Sequence, residues 1–270
     1  MELTQRKKQI LKIVVDSYIN SAEPVGSKAI VELMPEKVSS ATVRNELADL
    51  TEMGYLEQPH TSAGRIPSAK GYRLYVNELM ERKPLSAEEE ATINTALAKP
   101  LQQVEQVIDQ AGQMVSSFVG YPTYAVADPR SATTVQRFEL IAVDESGFIA
   151  VVMLSDSRVK SQLLKFPEFR DIDKAHDLMS FMVDNKQELP VPAGDAPMQI
   201  LIGPENVNDA LKESSVVIAS YDIGDNMRGL VGVVGPTRMD YAAVAARLSY
   251  FAESLSRMFG KKQLPEDTTE

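Results

Sequence analysis

The sequence predicts an α+β protein, with a small helical head followed by a larger body of mixed strands and helices. Apolar residues in the first 54 positions recur at helical spacing between turn residues. From about residue 134 they gather instead in short β-branched runs such as "FIAVVML" at 148–154, which are typical of strands. Helical spacing returns in "DYAAVAARLSYFAESLSRMF" at 240–259. Strands in meanders with helices between and after them indicate the α+β class.

Length and composition limit the class of protein. A chain of 270 residues is long enough for about two domains. The absence of cysteine excludes disulfides, thiolate metal sites and a cysteine nucleophile, and it agrees with a reducing cytoplasm. No apolar run approaches the roughly 18 residues of a membrane helix, and we expect no targeting segment in the first residues. We therefore expect a cytoplasmic protein that makes no contact with a membrane.

The charge is distributed unevenly along the chain. Residues 1–83 contain 12 Lys and Arg against 11 Asp and Glu, whereas the rest contains 16 basic and 27 acidic residues. The net charge of −10 is therefore carried by the body. Because an acidic body repels phosphate, any contact with nucleic acid has to come from the head.

The head is predicted to begin with three short helices. Thr4 is the expected N-cap of the first, Ser27 of the second, and Ser39 or Ser40 of the third. Gly54 is expected to end the third helix as a C-terminal glycine. The apolar positions of the third helix are Val43, Leu47, Leu50 and Met53. Its opposite face carries Ser40, Ala41, Arg44, Asn45, Ala48 and Asp49.

A short hairpin is predicted to follow the third helix. "YLEQP" and "RIPS" flank "HTSAG", and Gly64 is expected at a tip position that needs positive φ. Three helices and a hairpin in this order are typical of a winged helix-turn-helix. The third helix would then read bases in the major groove of double-stranded DNA, and the basic hairpin would contact phosphates as the wing. The candidate DNA-binding residues are Lys28, Ser40, Thr42, Arg44, Asn45, His60, Thr61, Ser62, Arg65, Lys70 and Arg73.

Two other interpretations of the head stay open at this point. The basic turn could be an ordinary solvated surface, with Arg44 paired to Asp49 or Glu46 rather than facing DNA. Winged-helix units also serve as protein-interaction modules. The head is assigned residues 1–80.

A linker and an amphipathic helix are expected at residues 81–120. Ser86 and Glu89 have the spacing of a capping box. A heptad-like apolar stripe follows, and Pro100 is expected to kink or break its helix. The stripe either contacts a second copy of the chain or covers the sheet of the body. It consists of Ile93, Leu97, Leu101, Val104, Ile108, Ala111, Val115 and Phe118.

The body is assigned residues 121–260, followed by a tail at 261–270 that is predicted to be disordered. The predicted strands are "TTVQRFELIAV" and "GFIAVVMLSD", which are joined by a turn at 144–147, then "RVKSQLLKF", "MQILIG", "SSVVIASYDI" and "RGLVGVVG". Helices are predicted at 172–182, at 204–211 with Pro204 at its start, and at 240–259. Arg238 and Asp240 form a turn in which Asp240 caps the last helix, whereas Arg238 holds the turn or reaches a ligand.

The sequence does not indicate an enzyme. His60 and His176 are its two histidines, and neither lies in a convincing triad or metal motif. The glycines of "GLVGVVGP" do not match the spacing of phosphate-binding loops. We therefore expect no catalytic residue, no metal and no cofactor.

Four segments resemble the bacterial heat-inducible transcription repressor family HrcA. They are "SSATVRNELADLTEMGYLEQPHTSAGRIPSAKGYRLYV" in the head, and "ILIGPEN", "SSVVIASY" and "GLVGVVGPTRMDY" in the body. The resemblance implies a winged-helix repressor with a GAF-like body, which binds the CIRCE inverted repeat of chaperone operons as a dimer on the bacterial nucleoid. It also implies that the chaperonin GroEL keeps the repressor active and that heat relieves repression. The matching motif positions are Ser40, Thr42, Arg44, Asn45, His60, Thr61, Ser62 and Arg65.

One departure from the family pattern concerns dimerisation. Family members carry an inserted dimerisation subdomain between segments that correspond to "RVKSQLL" and "FPEFRDI", and these nearly abut here at residues 164–167. Either the chain is a naturally compact member or the insert has been removed. The stripe and the body sheet are then the candidates for holding a dimer together. The alternative function is a winged-helix regulator whose GAF-like body senses a small molecule.

Overall fold

The computed structural model describes residues 3–81, 83–97, 115–116, 119–121, 123–126, 135–142, 147–154, 159–165, 196–224 and 227–261. Its helices are α1 (Gln5–Ser21), α2 (Ser27–Leu33), α3 (Ser40–Glu52), α4 (Ala69–Leu74), a π-helical turn (Tyr75–Leu79), α5 (Ala87–Leu97) and α6 (Tyr241–Lys261). Its strands are β1 (Leu56–Glu57), β2 (Ile66–Pro67), β3 (Thr123–Val126), β4 (Val135–Ala142), β5 (Gly147–Leu154), β6 (Val159–Lys165), β7 (Met198–Ile202), β8 (Ser214–Gly224) and β9 (Met227–Pro236). This mixture of helices and sheets confirms the α+β class.

The three helices of the head pack around one apolar core. Ile10 and Val14 of α1, Ile30 of α2, and Val43 and Leu50 of α3 are fully buried in it. Apolar residues three or four apart share one face of a helix, so each helix can bury a stripe while its other face stays polar. β1 and β2 pair antiparallel after α3 and form the hairpin of the wing.

The predicted caps of α1 and α3 are confirmed. The Thr4 hydroxyl accepts from the Lys7 amide at 3.3 Å, and the Ser39 hydroxyl accepts from the Thr42 amide at 3.0 Å. Gly54 has φ +77° directly after α3, the left-handed conformation that glycine adopts without steric cost.

The predicted cap of α2 is wrong by one residue. Gly26 is the N-cap, and Ser27 is the first residue of the helix. The Ser27 hydroxyl lies 3.1 Å from the Ser40 hydroxyl at the start of α3 instead. The serine therefore ties two helices together rather than capping its own.

The described residues of the body form two antiparallel sheets. β3, β9, β8 and β7 lie side by side in that order, and β4, β5 and β6 form a three-stranded meander. The six strands predicted here are confirmed. β3 pairs with β9 but was not predicted, because its four residues are too few to show an alternating pattern.

Helix α6 covers the four-stranded sheet. Leu248, Phe251 and Leu255 are buried in one core with Val217 and Ala219 of β8. The Asp240 carboxylate accepts from the Ala243 amide at 3.0 Å and caps α6, as expected. None of the described helices is both long and apolar enough to cross a membrane.

The helix predicted at 204–211 is wrong. Two short 3₁₀ turns, Gly203–Glu205 and Asp209–Leu211, take its place. The buried Asn206 amide donates to the carbonyls of Gly203, Leu211 and Ser214 at 2.9 to 3.0 Å. Because this side chain binds backbone carbonyls on both sides of it, the segment folds around Asn206 instead of continuing as a helix.

The capping box at the start of α5 is confirmed. The Ser86 amide donates to the Glu89 carboxylate at 2.9 Å, and the Glu89 amide donates to the Ser86 hydroxyl at 3.2 Å. Of the apolar stripe, Ile93 and Val115 are buried in the core of this chain. The stripe positions 101–111 and 118, the proline at 100, the turn positions 144–146, the helix predicted at 172–182 and the tail positions 262–270 lie outside the described residues.

Candidate nucleic-acid interface

The outward face of α3 presents the side chains proposed for base recognition. Arg44 and Asn45 are both exposed, and so are the small residues Ala41 and Ala48 beside them. The opposite face is held in the core by Val43 and its apolar neighbours. Small residues around a guanidinium and an amide leave room for a helix to approach a groove closely.

The acidic residues near Arg44 are neutralised by α1. The Lys7 ammonium lies 2.5 Å from a Glu46 carboxylate oxygen and 2.8 Å from an Asp49 oxygen. Hydrogen bonds to Asp49 and Glu46 raise the pKa of Lys7, which keeps the ammonium charged. Arg44 makes no ion pair within the part of the chain that the structure describes. The alternative interpretation, in which Arg44 pairs with Glu46 or Asp49, is therefore wrong.

The hydroxyl groups at the start of α3 are organised among themselves. The Ser39 and Thr42 hydroxyls lie 2.8 Å apart, and Ser40 is bonded to Ser27 of α2. Lys28 is exposed on the first turn of α2. A lysine at this position is free to extend towards a phosphate beside the helix that enters the groove.

The wing is anchored to the loop between α1 and α2. Val25 and Arg65 exchange two backbone hydrogen bonds, both of 2.9 Å, and form a single antiparallel bridge beside the hairpin. Gly64 does not have the positive φ that was expected. It is needed for close approach instead, because a Cβ there would lie 2.4 Å from the Val25 carbonyl carbon and oxygen.

The tip of the wing is exposed and braced from below. His60, Thr61 and Ser62 are all exposed there. The Gln58 amide donates to the carbonyls of Thr61 at 3.0 Å and of Ala63 at 3.1 Å. The sequence-based prediction missed Gln58, whose only signal was its place at the end of the first wing strand.

Arg65 connects the wing to the recognition helix. Its Nε donates to the Thr51 hydroxyl at 2.9 Å, and the hydroxyl in turn donates to the Leu47 carbonyl at 2.8 Å. The side chain is half-buried. The guanidinium thus fixes the wing against the C-terminal half of α3, while its terminal nitrogens can still meet a phosphate.

The remaining two candidates lie after the wing. The Lys70 ammonium donates to the Met53 carbonyl at 2.8 Å and lies 4.3 Å from the centre of the Tyr55 ring. Arg73 donates to both carboxylate oxygens of Glu205 in the body. The structure therefore does not group Arg73 with the wing tip, and Lys70 stands at the C-terminal end of α3.

The geometry suits DNA binding and does not suggest catalysis. An arginine and an asparagine on an exposed helix can form paired hydrogen bonds with the major-groove edges of guanine and adenine. Hydroxyl, imidazole and basic groups on a hairpin suit the phosphate backbone. Among the residues that the structure describes, no three His, Asp or Glu side chains are grouped closely enough to hold a metal ion.

Two family models match the chain over most of its length. The model described as "Winged helix-turn-helix transcription repressor, HrcA DNA-binding" matches residues 2–81. The model described as "HrcA protein C terminal domain" matches residues 105–165 and 158–245. The chain belongs to the HrcA family. The head is thus an HrcA winged-helix domain, and the family is one of DNA-binding transcription repressors rather than enzymes.

Similar bacterial proteins carry the HrcA name. A heat-inducible transcription repressor HrcA from Brevibacillus brevis is 30% identical to this chain, and the alignment covers 95% of this chain and 98% of the relative. The protein of the same name from Desulforudis audaxviator is 31% identical, with 97% and 99% covered. A crystal structure of a hypothetical protein shares the fold with a TM-score of 0.66 and 23% identity, covering 97% of this chain and 99% of that chain.

The HrcA relatives are longer than this chain. The alignment with the Brevibacillus brevis protein runs over 334 positions, more than the 270 residues present here. The relative therefore contains residues that have no counterpart in this chain. The match to the HrcA C-terminal model is divided at residues 158–165, next to the place where the inserted subdomain is expected. Both observations agree with its absence.

Proposed function

We propose that this chain represses heat-shock chaperone operons by binding the CIRCE inverted repeat as a dimer. The observation that carries the proposal is the exposed face of α3. Arg44 and Asn45 are exposed there and have no acidic partner among the described residues, since Lys7 pairs with Glu46 and Asp49. A helix with an uncompensated arginine beside an amide is suited to entering the major groove.

The helix and the wing are proposed to have different tasks. Arg44 and Asn45 read base edges, whereas Ser40, Thr42 and Lys28 at the same end of the head contact phosphates. The wing tip, with His60, Thr61 and Ser62, follows the backbone of the neighbouring groove. Arg65 joins the two parts through Thr51 and contributes its positive charge to the phosphate contacts, as does Lys70 after the wing.

A dimer is proposed because an inverted repeat presents two identical half-sites related by a two-fold axis. Without the inserted subdomain, the contact between copies has to come from the stripe or from the body. The burial of Ile93 and Val115 in the core of this chain favours the body. A dimer held by the bodies would carry one head at each half-site.

The proposed regulation depends on heat and on a chaperone. The GAF-like body is proposed to be marginally stable, so that GroEL keeps the repressor folded in the bacterial cytoplasm. When unfolded proteins occupy GroEL during heat stress, the repressor loses its activity and transcription from the operon rises. A chaperonin acts on unfolded chains, so the proposed support consists of refolding repressor that has unfolded, and occupancy of GroEL by other clients removes that support.

The experiment that tests the proposal is a DNA-binding titration with the inverted-repeat operator. A labelled CIRCE inverted repeat and a scrambled duplex of equal length are titrated at several salt concentrations, with and without GroEL. We expect repeat-specific binding that weakens with salt and is recovered by GroEL after mild heating. Equal affinity for both duplexes would contradict the operator assignment, and no effect of GroEL would contradict the regulation.

The alternative function, a regulator whose body senses a small molecule, makes a different prediction. A metabolite mixture would raise the melting temperature of the body, since a ligand stabilises the fold that binds it. GroEL would then leave operator binding unchanged. The same titration therefore separates the two functions.

A further inference from the structure

The head and the body of this chain share a buried contact. Tyr72 of α4 is 2% exposed and Tyr241 of α6 is fully buried. The centres of their rings lie 5.8 Å apart with the planes tilted by 59°, an arrangement that aromatic pairs prefer. One apolar core contains residues of both domains. The two domains are therefore packed against each other and not merely joined by the linker.

Two arginines cross the interface in opposite directions. Arg73 of the head donates from Nε to Glu205 at 2.8 Å, from Nη2 to the second oxygen of the same carboxylate, and from Nη2 to the Ile200 carbonyl at 2.6 Å. Arg238 of the body donates to the Ile19 carbonyl in the last turn of α1 at 2.8 Å. A bidentate pair between arginine and carboxylate fixes the relative orientation of its two partners as well as their distance.

Glu205 is itself held in place by the body. Its carboxylate accepts from the Ile202 amide at 2.9 Å, in addition to the bonds from Arg73. Burial raises the pKa of Glu205, but the hydrogen bonds from Arg73 and the Ile202 amide outweigh it, and the net pKa lies below its ordinary value. A carboxylate in contact with the guanidinium would repel a phosphate that approached the same group.

The docked head leaves the DNA-binding surface open. Arg44, Asn45 and His60 are all exposed while Arg73 and Arg238 are engaged with the other domain. The contacts with the body use α4 and the end of α1, whereas the recognition groups lie on α3 and the wing tip. The docked arrangement is therefore compatible with binding DNA, and it does not block the surface.

We infer that Arg73 is a positioning residue for operator binding, which holds the head on the body through Glu205 and does not contact phosphate. The inference rests on the proposed function as a dimeric operator repressor. Two heads held rigidly on a dimer meet two half-sites with a high effective concentration, and heads that swing on the linker lose part of that gain. Arg73 thus acts on the pairing of the two heads and not on the affinity of one head.

The test is a double-mutant cycle with Arg73→Ala, Glu205→Gln and the combined variant. Each is titrated against the full inverted repeat and against a duplex with one half-site. We expect each single variant to weaken binding to the full repeat by roughly three- to tenfold and to leave half-site binding unchanged. The combined variant should be no weaker than Arg73→Ala alone, because that change already removes the contact with Glu205 together with the bond to the Ile200 carbonyl.

Two comparisons separate positioning from phosphate contact. Loss of a phosphate contact in Arg73→Ala would flatten the salt dependence by about one unit and weaken the half-site as well. In that case Glu205→Gln, which removes a competing negative charge, would bind DNA as well as the wild type or more tightly. Either result would overturn the inference. Restoration of full-repeat affinity by the charge-swapped pair Arg73→Glu and Glu205→Arg would support it.

A measurement without DNA keeps this inference separate from the proposed function. Hydrogen exchange of residues 69–79 and 198–206 is compared in the wild type, Glu205→Gln and the control Glu253→Gln, which changes an exposed glutamate on α6. We expect faster exchange only in Glu205→Gln. Equal exchange in all three proteins would overturn the inference, even if the wild type binds the inverted repeat. Failure of the wild type to prefer that repeat would contradict the proposed function instead.

Discussion

Arg44 faces solvent because Lys7 holds the two carboxylates that could have neutralised it. Glu46 and Asp49 lie on the same helix as Arg44, yet both contact the Lys7 ammonium of α1. A base-reading arginine needs this arrangement, because a guanidinium that is already paired has to break its ion pair before it binds guanine. One lysine thus prepares the recognition surface without facing DNA itself.

The first prediction concerns base readout by Arg44. Replacement by alanine is expected to cost about 1 to 3 kcal/mol in binding to the operator, and to relax base preference at one position of each half-site. Competition with a set of base-substituted operators measures both effects. Arg257→Ala, which removes an exposed arginine from α6, is the matched control and should bind like the wild type.

Arg65 of the wing is expected to behave differently from Arg44 of α3. Arg65→Ala is expected to weaken binding to all sequences alike and to reduce the salt slope by about one unit. Thr51→Val removes the hydroxyl that Arg65 contacts but keeps the positive charge of Arg65. The salt dependence of DNA binding by this variant should therefore equal that of the wild type. If Arg44→Ala and Arg65→Ala lost specificity equally, the division of tasks between helix and wing would be wrong.

Caps and exposed polar faces were predictable at the scale of single residues. Thr4, Ser39 and Gly54 act within a few positions of their own place in the chain, where sequence signals are strong. Arg73 and Gly64 meet partners far away in sequence, Glu205 and Val25 respectively. No local pattern indicates such a partner, so the tertiary fold alone assigns their roles.

The wing is an element whose position depends on one glycine. Gly64→Ala would place a Cβ 2.4 Å from the backbone of Val25, and the two short strands would have to separate. We expect a loss of about 1 to 3 kcal/mol in stability and weaker operator binding. The added Cβ would clash with backbone atoms, which cannot move aside as a flexible side chain can. Thermal melting and operator titration measure the two effects.

Gly26→Ala serves as the control for the wing substitution. A Cβ at Gly26 meets no atom within 4 Å, and its φ of −86° is open to any residue. Its effect on both measurements should be much smaller. Equal effects of the two substitutions would mean that the contact between Gly64 and Val25 does not position the wing.

The link between α5 and α6 gives a prediction about pH. The pKa of Glu89 lies below its ordinary value of 4.5, because the Ser86 amide and the Arg247 guanidinium both donate to its carboxylate. A group with a lowered pKa adds stability above its unfolded value and loses it as the pH falls through its folded value. This contribution is therefore full at neutral pH and disappears in acid below about pH 4.5.

Glu89→Gln isolates that ion pair, because glutamine can keep the capping box with Ser86. The variant is expected to be less stable than the wild type at pH 7 by up to about 1 kcal/mol, as is usual for partly exposed pairs. The difference should vanish near pH 3. Melting curves across this range measure it, and a difference that grew in acid would contradict the assignment.

The sequence predicted most elements of regular structure, and failed where the side chains of a loop decide the fold. Long helices and β-branched strands carry a periodicity that can be read directly. The segment 204–211 looked helical, but the buried Asn206 amide turns it into two short 3₁₀ turns. Strand β3 is too short for a period, and it exists because β9 offers it a partner.

At the scale of the whole molecule, the head and the body form one packed unit. This packing makes operator binding dependent on the stability of the body, although no body residue is proposed to contact DNA. The body could be assigned to the α+β class from sequence, but its contact with the head could not. Tyr72 and Tyr241 lie far apart in sequence, and each has the character of an ordinary core residue.

Tyr241→Ala tests whether operator binding depends on the stability of the body. The side chain is fully buried, so its loss is expected to destabilise the chain by about 3 to 5 kcal/mol. Operator binding should then be lost at a lower temperature, in step with the unfolding of the body measured by circular dichroism. Tyr241→Phe, which removes the hydroxyl bonded to Ser215, should cost only about 1 kcal/mol. Operator affinity that survived above the unfolding temperature of the body would contradict heat sensing by this route.

The most direct test of the DNA-binding account is hydrogen exchange of the full chain with and without the inverted-repeat duplex. Addition of the duplex should slow exchange at residues 40–45 of α3 and at 58–65 of the wing. Hydrogen exchange in β8 and β9 of the body should be the same with and without the duplex. A scrambled duplex at the same concentration should give weaker protection of the same segments. Protection confined to the body, or none at α3, would contradict the account.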